Sequence, residues 1–264
     1  MTQTVAVTKM HGARNDFVVV DCRRTAIASL PQFARWACDR HAGIGADGVI
    51  AIVAGSKTMG MRTINADGSE AEMCGNGLRC AARWLEEAGE GLHAEFETAA
   101  GIVSADVIAK RPEYLVRALV GAPRVRALDR PEFPDAFAVD AGNPQVVAFE
   151  RDSDAFDLSA AARRLQADAE FPNGANVHVC TIESDGGLRV RHWERGAGLT
   201  QACGTGAAAC AAAAIAAGRA KSPVEVRVPG GRLVVEWDGG VAAVTGPAQR
   251  VFDTTVQFAD DEQR

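Results

Sequence analysis

Cys74-Gly75-Asn76-Gly77 and Cys203-Gly204-Thr205-Gly206 are two copies of one segment, set about 129 residues apart in a chain of 264. At the same shift Gly45-Ala46-Asp47 falls on Gly174-Ala175-Asn176, Arg62 on Arg191, Asn65 on Glu194, and Arg35 and Asp39 on Arg164 and Asp168. One residue off it, Asn15-Asp16-Phe17-Val18-Val19 meets Asn143-Pro144-Gln145-Val146-Val147; near the end of each copy, Gly121-Ala122-Pro123 resembles Gly246-Pro247-Ala248. Single matches are cheap, but a nearly constant shift held over about 60 residues is not. The chain therefore reads as two copies of one unit: 1–121, completed by 252–264, and 122–251. The join lies near 121–135, where Pro123, Pro131 and Pro134 suggest a connector. A two-copy chain predicts a pseudo-twofold pair of domains with a cleft between them, a favoured place for small ligands.

The elements expected in the two copies run in the same order. A short strand (Phe17–Asp21 or Val146–Glu150) leads to a helix (Pro31–His41 or Leu158–Asp168). Strands follow around Val49–Val53 and Met61–Asn65, or Val177–Ile182 and Leu188–Glu194. The Cys-Gly-x-Gly segment then opens a second helix, and strands around Ala94–Ile108 and Tyr114–Val120, or Val224–Trp237 and Val241–Val244, close the copy. Strand-rich copies with two helices each belong to the α+β class. Residues 75–88 set Leu78, Ala81 or Ala82, and Leu85 on one face, with Arg79, Arg83, Glu86 and Glu87 elsewhere, an amphipathic pattern. Residues 204–217 carry no charge, so that helix is expected to be enclosed by its sheet. Gly89 and Gly218 are the expected C-terminal stops.

Each motif cysteine stands immediately before a helix. A helix N-terminus presents unpaired backbone N–H groups and a partial positive charge. A thiolate there is stabilised, which predicts a pKa below the free value of about 8.5. The glycines remove Cβ atoms, so a ligand can approach the backbone. The N–H groups at Gly75-Asn76 and at Gly204-Thr205 can hold a carboxylate. Two such ends brought together would place an α-carbon between two thiols. That arrangement suits inversion of an α-stereocentre: one thiolate removes the α-proton while the opposite thiol supplies a proton to the other face. The helix ends would stabilise the charge that spreads onto the carboxylate.

Composition narrows the alternatives. Hydrophobic residues at 47% and charged residues at 23% suffice for a globular core. A net charge of -6 without a long Lys/Arg run leaves no footprint for nucleic acid or an anionic membrane surface. No apolar run reaches the roughly 18 residues of a membrane span, and no secretory signal is visible, so a cytoplasmic chain is expected. Seven cysteines, an odd number, argue for free thiols. No pair is spaced C-x-x-C, so no metal site is expected. Cys22, Cys38, Cys80, Cys180 and Cys210 are assigned to packing. Gly43-Ile44-Gly45-Ala46-Asp47-Gly48 spells the dinucleotide fingerprint, but a helix precedes it and a strand follows, the reverse of what that motif needs.

Lys9-Met10-His11-Gly12, Asn15-Asp16-Phe17, Asn65-Ala66-Asp67-Gly68-Ser69-Glu70, Cys74-Gly75-Asn76-Gly77-Leu78-Arg79-Cys80, Glu194-Arg195-Gly196-Ala197-Gly198, Ala202-Cys203-Gly204-Thr205-Gly206 and Pro229-Gly230-Gly231 resemble the motifs of the diaminopimelate epimerase family. The resemblance runs from about residue 5 to 252. It implies two similar α/β halves, each wrapping strands around a central helix. It also implies interconversion of LL- and meso-diaminopimelate, for lysine and cell-wall synthesis, with no pyridoxal phosphate or other cofactor. A homodimer is implied by the family alone. By similarity, Asn15, Asn65, Asn143, Asn176, Glu194 and Arg195 line the substrate pocket. Arg195 suits a carboxylate and Glu194 an ammonium.

Two positions depart from the family pattern. Gln145 follows Asn143-Pro144 where the family usually has a histidine thought to assist proton movement, and a glutamine cannot titrate. Glu194 and the helix ends would then have to generate the thiolate. His178, two residues from Asn176 on a strand, is expected on the same face and is read as structural rather than catalytic. Gly48 stands where some members carry a substrate-facing glutamine. The competing readings are a racemase of another amino acid, such as histidine, on the same architecture, and a non-catalytic amino-acid binding protein.

Overall fold

A computed structural model describes residues 2–130, 133–166 and 168–259. The elements run β1 (Thr2–Gly12), β2 (Asn15–Asp21), α1 (Leu30–Cys38), β3 (Gly48–Ala54), β4 (Met59–Asn65), β5 (Glu70–Ala71), α2 (Gly75–Glu87), β6 (His93–Thr98), β7 (Gly101–Ala109) and β8 (Leu115–Leu119). They continue with β9 (Arg124–Arg130), β10 (Phe133–Asp140), β11 (Pro144–Phe149), α3 (Leu158–Leu165), β12 (Asn176–Ile182), β13 (Leu188–Glu194), β14 (Gly198–Thr200), α4 (Gly204–Ala216), β15 (Val224–Val228), β16 (Gly231–Glu236), β17 (Ala243–Pro247) and β18 (Gln249–Ala259). The chain divides into one unit of Met1–Ala118 with Pro247–Arg264 and a second of Leu119–Gly246. Each is a strand-rich sheet around a central helix, the α+β architecture.

In the first unit β1 lies antiparallel between β2 and β18. β2 runs parallel to β3, with α1 in the connection, and β3 is antiparallel to β4. β4 continues parallel to β6, and β6–β7–β8 is an antiparallel meander. The apolar runs Phe17–Val20 and Val49–Ile52 are fully buried because helices cover both faces. α1 packs Leu30, Phe33, Ala34, Ala37 and Cys38 on one side, while α2 lies against β1, β2, β6 and β7. α1 begins at Ser29, whose hydroxyl accepts from the Gln32 N–H. It ends at Cys38 rather than at His41. Asp39 Oδ1 instead accepts the N–H groups of His41 (2.7 Å) and Ala42 (2.8 Å), a local turn that competes with further helix.

The second unit repeats this order. β9, β10 and β11 are antiparallel neighbours; β11 runs parallel to β12 with α3 between them; β12, β13 and β14 are antiparallel. β13 then runs parallel to β15, followed by antiparallel β16 and β17. α4 touches β9 to β13, β15 and β16. Residues 206–214, Gly206 to Ala214, are all buried, and these small side chains let strands close around the helix. The chargeless sequence of α4 was the correct signal for this enclosure.

Several expectations change. The stretch 121–135 is not a connector: β9 and the start of β10 occupy it, with Pro134 inside β10 and Pro131 outside the described residues. The strand expected across Ala94–Ile108 is the hairpin β6–β7, folded at Gly101, whose φ of 104° glycine adopts readily. Val224–Trp237 is likewise the hairpin β15–β16, turning at Pro229-Gly230. α3 stops at Leu165, short of the expected Asp168, whose carboxylate accepts the Glu170 N–H (2.8 Å). Residues 260–264, at the end of the expected completing segment, lie outside the described residues. Arg79 is fully buried on α2 rather than on its polar side.

Candidate active site

The two motif cysteines occupy the same local position. Cys74 is the N-cap of α2 with φ -135° and ψ 112°; Cys203 is the N-cap of α4 with φ -128° and ψ 117°. Each sulfur accepts the backbone N–H of the glycine three residues on, Gly77 at 3.4 Å and Gly206 at 3.3 Å. This is the capping geometry that serine or aspartate usually supplies, made here by a nucleophile. The extended backbone at each cap leaves the first N–H groups of the helix, at Gly75-Asn76 and Gly204-Thr205, ahead of the helical ladder.

In the first unit a line of amides runs to Cys74. Asn15, at the start of β2, presents Oδ1 to the Cys74 thiol (3.9 Å) and to Asn76 Nδ2 (3.0 Å). Asn15 Nδ2 donates to Asp47 Oδ2 (2.8 Å), and Arg40 pairs with Asp47 and Asp16. Asn76 is held from behind by buried Arg79, whose Nη2 donates to Asn76 Oδ1 (2.5 Å) and which also reaches the carbonyls of Gly75 and Pro247. Burial pulls the Arg79 pKa down, while the neighbouring thiols Cys80 and Cys74 push it up. Gly12 lies close against this pair: a Cβ there would come within 3.1 Å of Arg79 Nη2. Asn65, at the exposed end of β4, donates to Ser69 Oγ (2.9 Å). The Gly43–Gly48 segment joins α1 to β3, and its Gly45 carbonyl accepts from Lys9 Nζ.

In the second unit Cys203 is buried. Burial, then the Glu194 carboxylate beside it, push its pKa well up; the Thr205 hydroxyl and the Gly206 N–H act in the opposite direction. The helix start therefore does not bring this thiol below its ordinary value, contrary to the expectation from its position. Desolvation of the charged form outweighs two hydrogen bonds. Glu194 ends β13 and accepts from Thr200 Oγ1 (2.6 Å). Asn176 Oδ1 accepts the Arg195 N–H (2.8 Å), and the exposed Arg195 guanidinium rests on the Asn173 carbonyl (2.8 Å).

Gln145 sits at the centre of this half. Its Nε2 donates to Asn143 Oδ1 and, at 3.5 Å, to Thr205 Oγ1, which is itself 3.5 Å from Cys203 Sγ. Its Oε1 faces His178 Nε2 at 2.6 Å, and His178 Nδ1 meets His192 Nδ1 at 2.8 Å. Both rings are buried, which holds His178 well below the usual imidazole value and His192 down to about 3. His178 and His192 face each other in the register of β12 and β13.

The family model for diaminopimelate epimerase matches residues 7–125 and 137–251. The chain belongs to the diaminopimelate epimerase family. It is an enzyme of the isomerase class. It is 41% identical to the diaminopimelate epimerase of Sphingopyxis alaskensis over 265 residues, covering 96% of this chain and 97% of that one. Among solved structures it resembles a phenazine biosynthesis protein of the PhzF family from Bacillus anthracis, with a TM-score of 0.77 and 17% identity, covering 96% of this chain and 99% of the other. A hydroxyproline epimerase from Agrobacterium vitis aligns with a TM-score of 0.69 and 16% identity, over 98% and 93%. At these identities the two structures speak for the fold alone. No described helix of this family member is long and apolar enough to cross a membrane.

Of the residues anticipated from sequence, Asn15, Cys74 and Asn76 meet in the first unit, while Asn65 bonds elsewhere. In the second, Cys203, Thr205 and Glu194 meet, Asn143 joins through Gln145, and Asn176 pairs with Arg195. Arg79, Asp47, Thr200 and His192 were not anticipated. The available signal was polarity out of place: His178 interrupts the apolar run of β12, His192 falls on the same alternate positions of β13 as Leu188 and Val190, and Arg79 lies between Leu78 and Cys80 in α2.

Proposed function

We propose that this enzyme interconverts LL- and meso-diaminopimelate by moving one proton at the α-carbon between Cys74 and Cys203, without a cofactor. The observation that carries the reading is the matched pair of N-cap cysteines, each with its sulfur on the N–H of the third residue along its helix. Burial and the adjacent carboxylate of Glu194 keep Cys203 a thiol at rest, which suits it to give a proton. In that direction the Cys74 thiolate takes the α-hydrogen and becomes a thiol. Cys203 gives its proton to the opposite face of the α-carbon and becomes a thiolate, received by the Gly206 N–H and the Thr205 hydroxyl. The pair ends with its protons exchanged, and the reverse reaction restores it.

As the α-hydrogen leaves, negative charge spreads onto the α-carboxylate. Backbone N–H groups at Gly75-Asn76 and Gly204-Thr205 are the donors for that carboxylate. Asn15, anchored by Asp47 and Asn76, holds the Cys74 thiol. The exposed Arg195 guanidinium is available to the carboxylate of the second amino-acid head, with Asn65, Asn143 and Asn176 as further amide contacts. The test is proton NMR of LL-diaminopimelate with reduced enzyme in deuterated water. The reading expects loss of the α-proton signal and appearance of the meso isomer, and expects Cys74→Ser and Cys203→Ser each to lose at least about a hundredfold in rate. Wild-type exchange that survives in both folded serine variants would overturn the two-thiol mechanism. Absence of exchange with the wild-type enzyme would overturn the substrate.

A further inference from the structure

We infer that His178 and His192 are positioning residues that fix the hydroxyl proton of Thr205 so that it points at Cys203 Sγ. The inference rests on the proposed role of Cys203 and on a chain of hydrogen bonds that runs inward from Asn143. Gln145 turns its Nε2 toward two oxygens, Asn143 Oδ1 and Thr205 Oγ1. Its Oε1 therefore faces His178, and since an amide oxygen only accepts, His178 Nε2 must carry the hydrogen of the 2.6 Å bond. A neutral imidazole has one N–H, so His178 Nδ1 is bare and can only accept. The 2.8 Å contact from His192 Nδ1 must then be a donation by His192. That leaves His192 Nε2 bare, and this buried atom has no hydrogen-bond partner among the described residues. With the Gln145 amide in this orientation, every proton in the chain follows.

The consequence falls on Cys203. Thr205 Oγ1 accepts from Gln145, so its own hydrogen is free to go to the sulfur 3.5 Å away. With Gly206 N–H at 3.3 Å, Cys203 Sγ has two preset donors when it becomes a thiolate, and its own S–H is left for the Glu194 carboxylate, the charged group that faces it. Donors aimed in advance at a developing charge need no reorganisation as it appears. Gln145 cannot titrate, and in this arrangement it has no need to. It transmits an orientation set by a neutral imidazole pair. Gly206 makes the arrangement possible, since its missing Cβ is the space that the His178 ring fills.

The test compares two thiols in one molecule. The pH dependence of iodoacetamide alkylation is followed at Cys203 and Cys74 separately by peptide mass spectrometry, with no substrate present. It thus reads independently of whether diaminopimelate is turned over. In His178→Leu, loss of the preset donor is expected to raise the Cys203 midpoint by about one pH unit while the Cys74 midpoint stays in place. His178→Gln, which restores an N–H donor toward Gln145, is expected to recover most of that shift. Gln145→Leu, which cuts the chain one link later, should reproduce the His178→Leu midpoint and serves if His178→Leu does not fold. A folded variant with an unmoved Cys203 midpoint, an equal shift at Cys74, or no recovery in His178→Gln would overturn the inference.

Discussion

The fourth residue of each Cys-Gly-x-Gly segment is glycine, yet the two glycines should respond differently to alanine. A Cβ on Gly206 would lie 2.5 Å from His178 Cε1 and 2.8 Å from its Nε2, against the 3.4 Å at which ordinary contact begins. The ring cannot retreat freely, because Gln145 holds one nitrogen at 2.6 Å and His192 the other at 2.8 Å. Overpacking a core costs about 1–3 kcal/mol, and breaking one of these buried bonds adds about 1–3 kcal/mol. Replacing glycine inside a helix returns about 1 kcal/mol. The net expectation for Gly206→Ala is a loss of about 3 kcal/mol. A Cβ on Gly77 also meets an atom at 2.5 Å, but that atom is Cδ1 of Ile50, the end of a side chain with other rotamers. There the strain of about 1 kcal/mol is offset by the helix gain, so Gly77→Ala should change stability by less than about 1 kcal/mol. Neither glycine has a positive φ, so backbone strain does not enter. Urea unfolding of the two variants beside wild type measures both numbers. A Gly206→Ala protein as stable as wild type, or equal losses in the two variants, would refute the claim that the His178 ring is locked.

Two further expectations concern titration. Burial keeps His178 and His192 neutral in the folded state, His192 down to about 3, against an unperturbed value of 6.5. Below 6.5 the unfolded chain binds protons that the folded chain refuses, so stability present above that pH is lost as pH falls toward 3. The loss should be about 2 kcal/mol per ring between pH 7 and 5, and His192→Phe should remove its own share from urea unfolding measured at those two pH values. Glu194→Gln removes a negative charge beside Cys203, so the alkylation midpoint of Cys203 should move down, while epimerase turnover falls about a hundredfold or more because the thiol loses its acceptor. A midpoint that stays put in the folded variant would mean that Glu194 does not face the sulfur.

Much of the architecture was legible because it is written in local pattern. The repeat of Cys-Gly-x-Gly, the apolar runs of β2, β3, β11 and β12, and the chargeless α4 each follow from period, composition and capping, which involve residues near one another in the chain. The errors cluster where a distant partner decided. Thr2–Gly12 becomes a long strand because it pairs along its length with Gln249–Ala259, almost the whole chain away. Arg124–Arg130 reads as a polar connector, yet it finds a ladder on Phe133–Asp140. The ends of α1 and α3 were overrun because Asp39 and Asp168 take the next N–H groups into turns.

At the site the division is the same. Residue type and helix position alone mark Cys74 and Cys203 as a matched pair, and motif resemblance adds the surrounding asparagines, Glu194 and Arg195. Tertiary structure decided which thiol is desolvated: Cys203 caps α4, which packs against β9 to β13, β15 and β16, and its burial outweighs the helix start that the sequence displays. It also decided what Gln145 does. Read as a string, the residue is a histidine's replacement that cannot carry a proton. Folded, it joins Thr205 to two histidines, 33 and 14 residues further along successive links, and the direction of every hydrogen bond in that line follows from them. A hydrogen bond's direction depends on which atoms meet in space, and separation along the chain does not encode it.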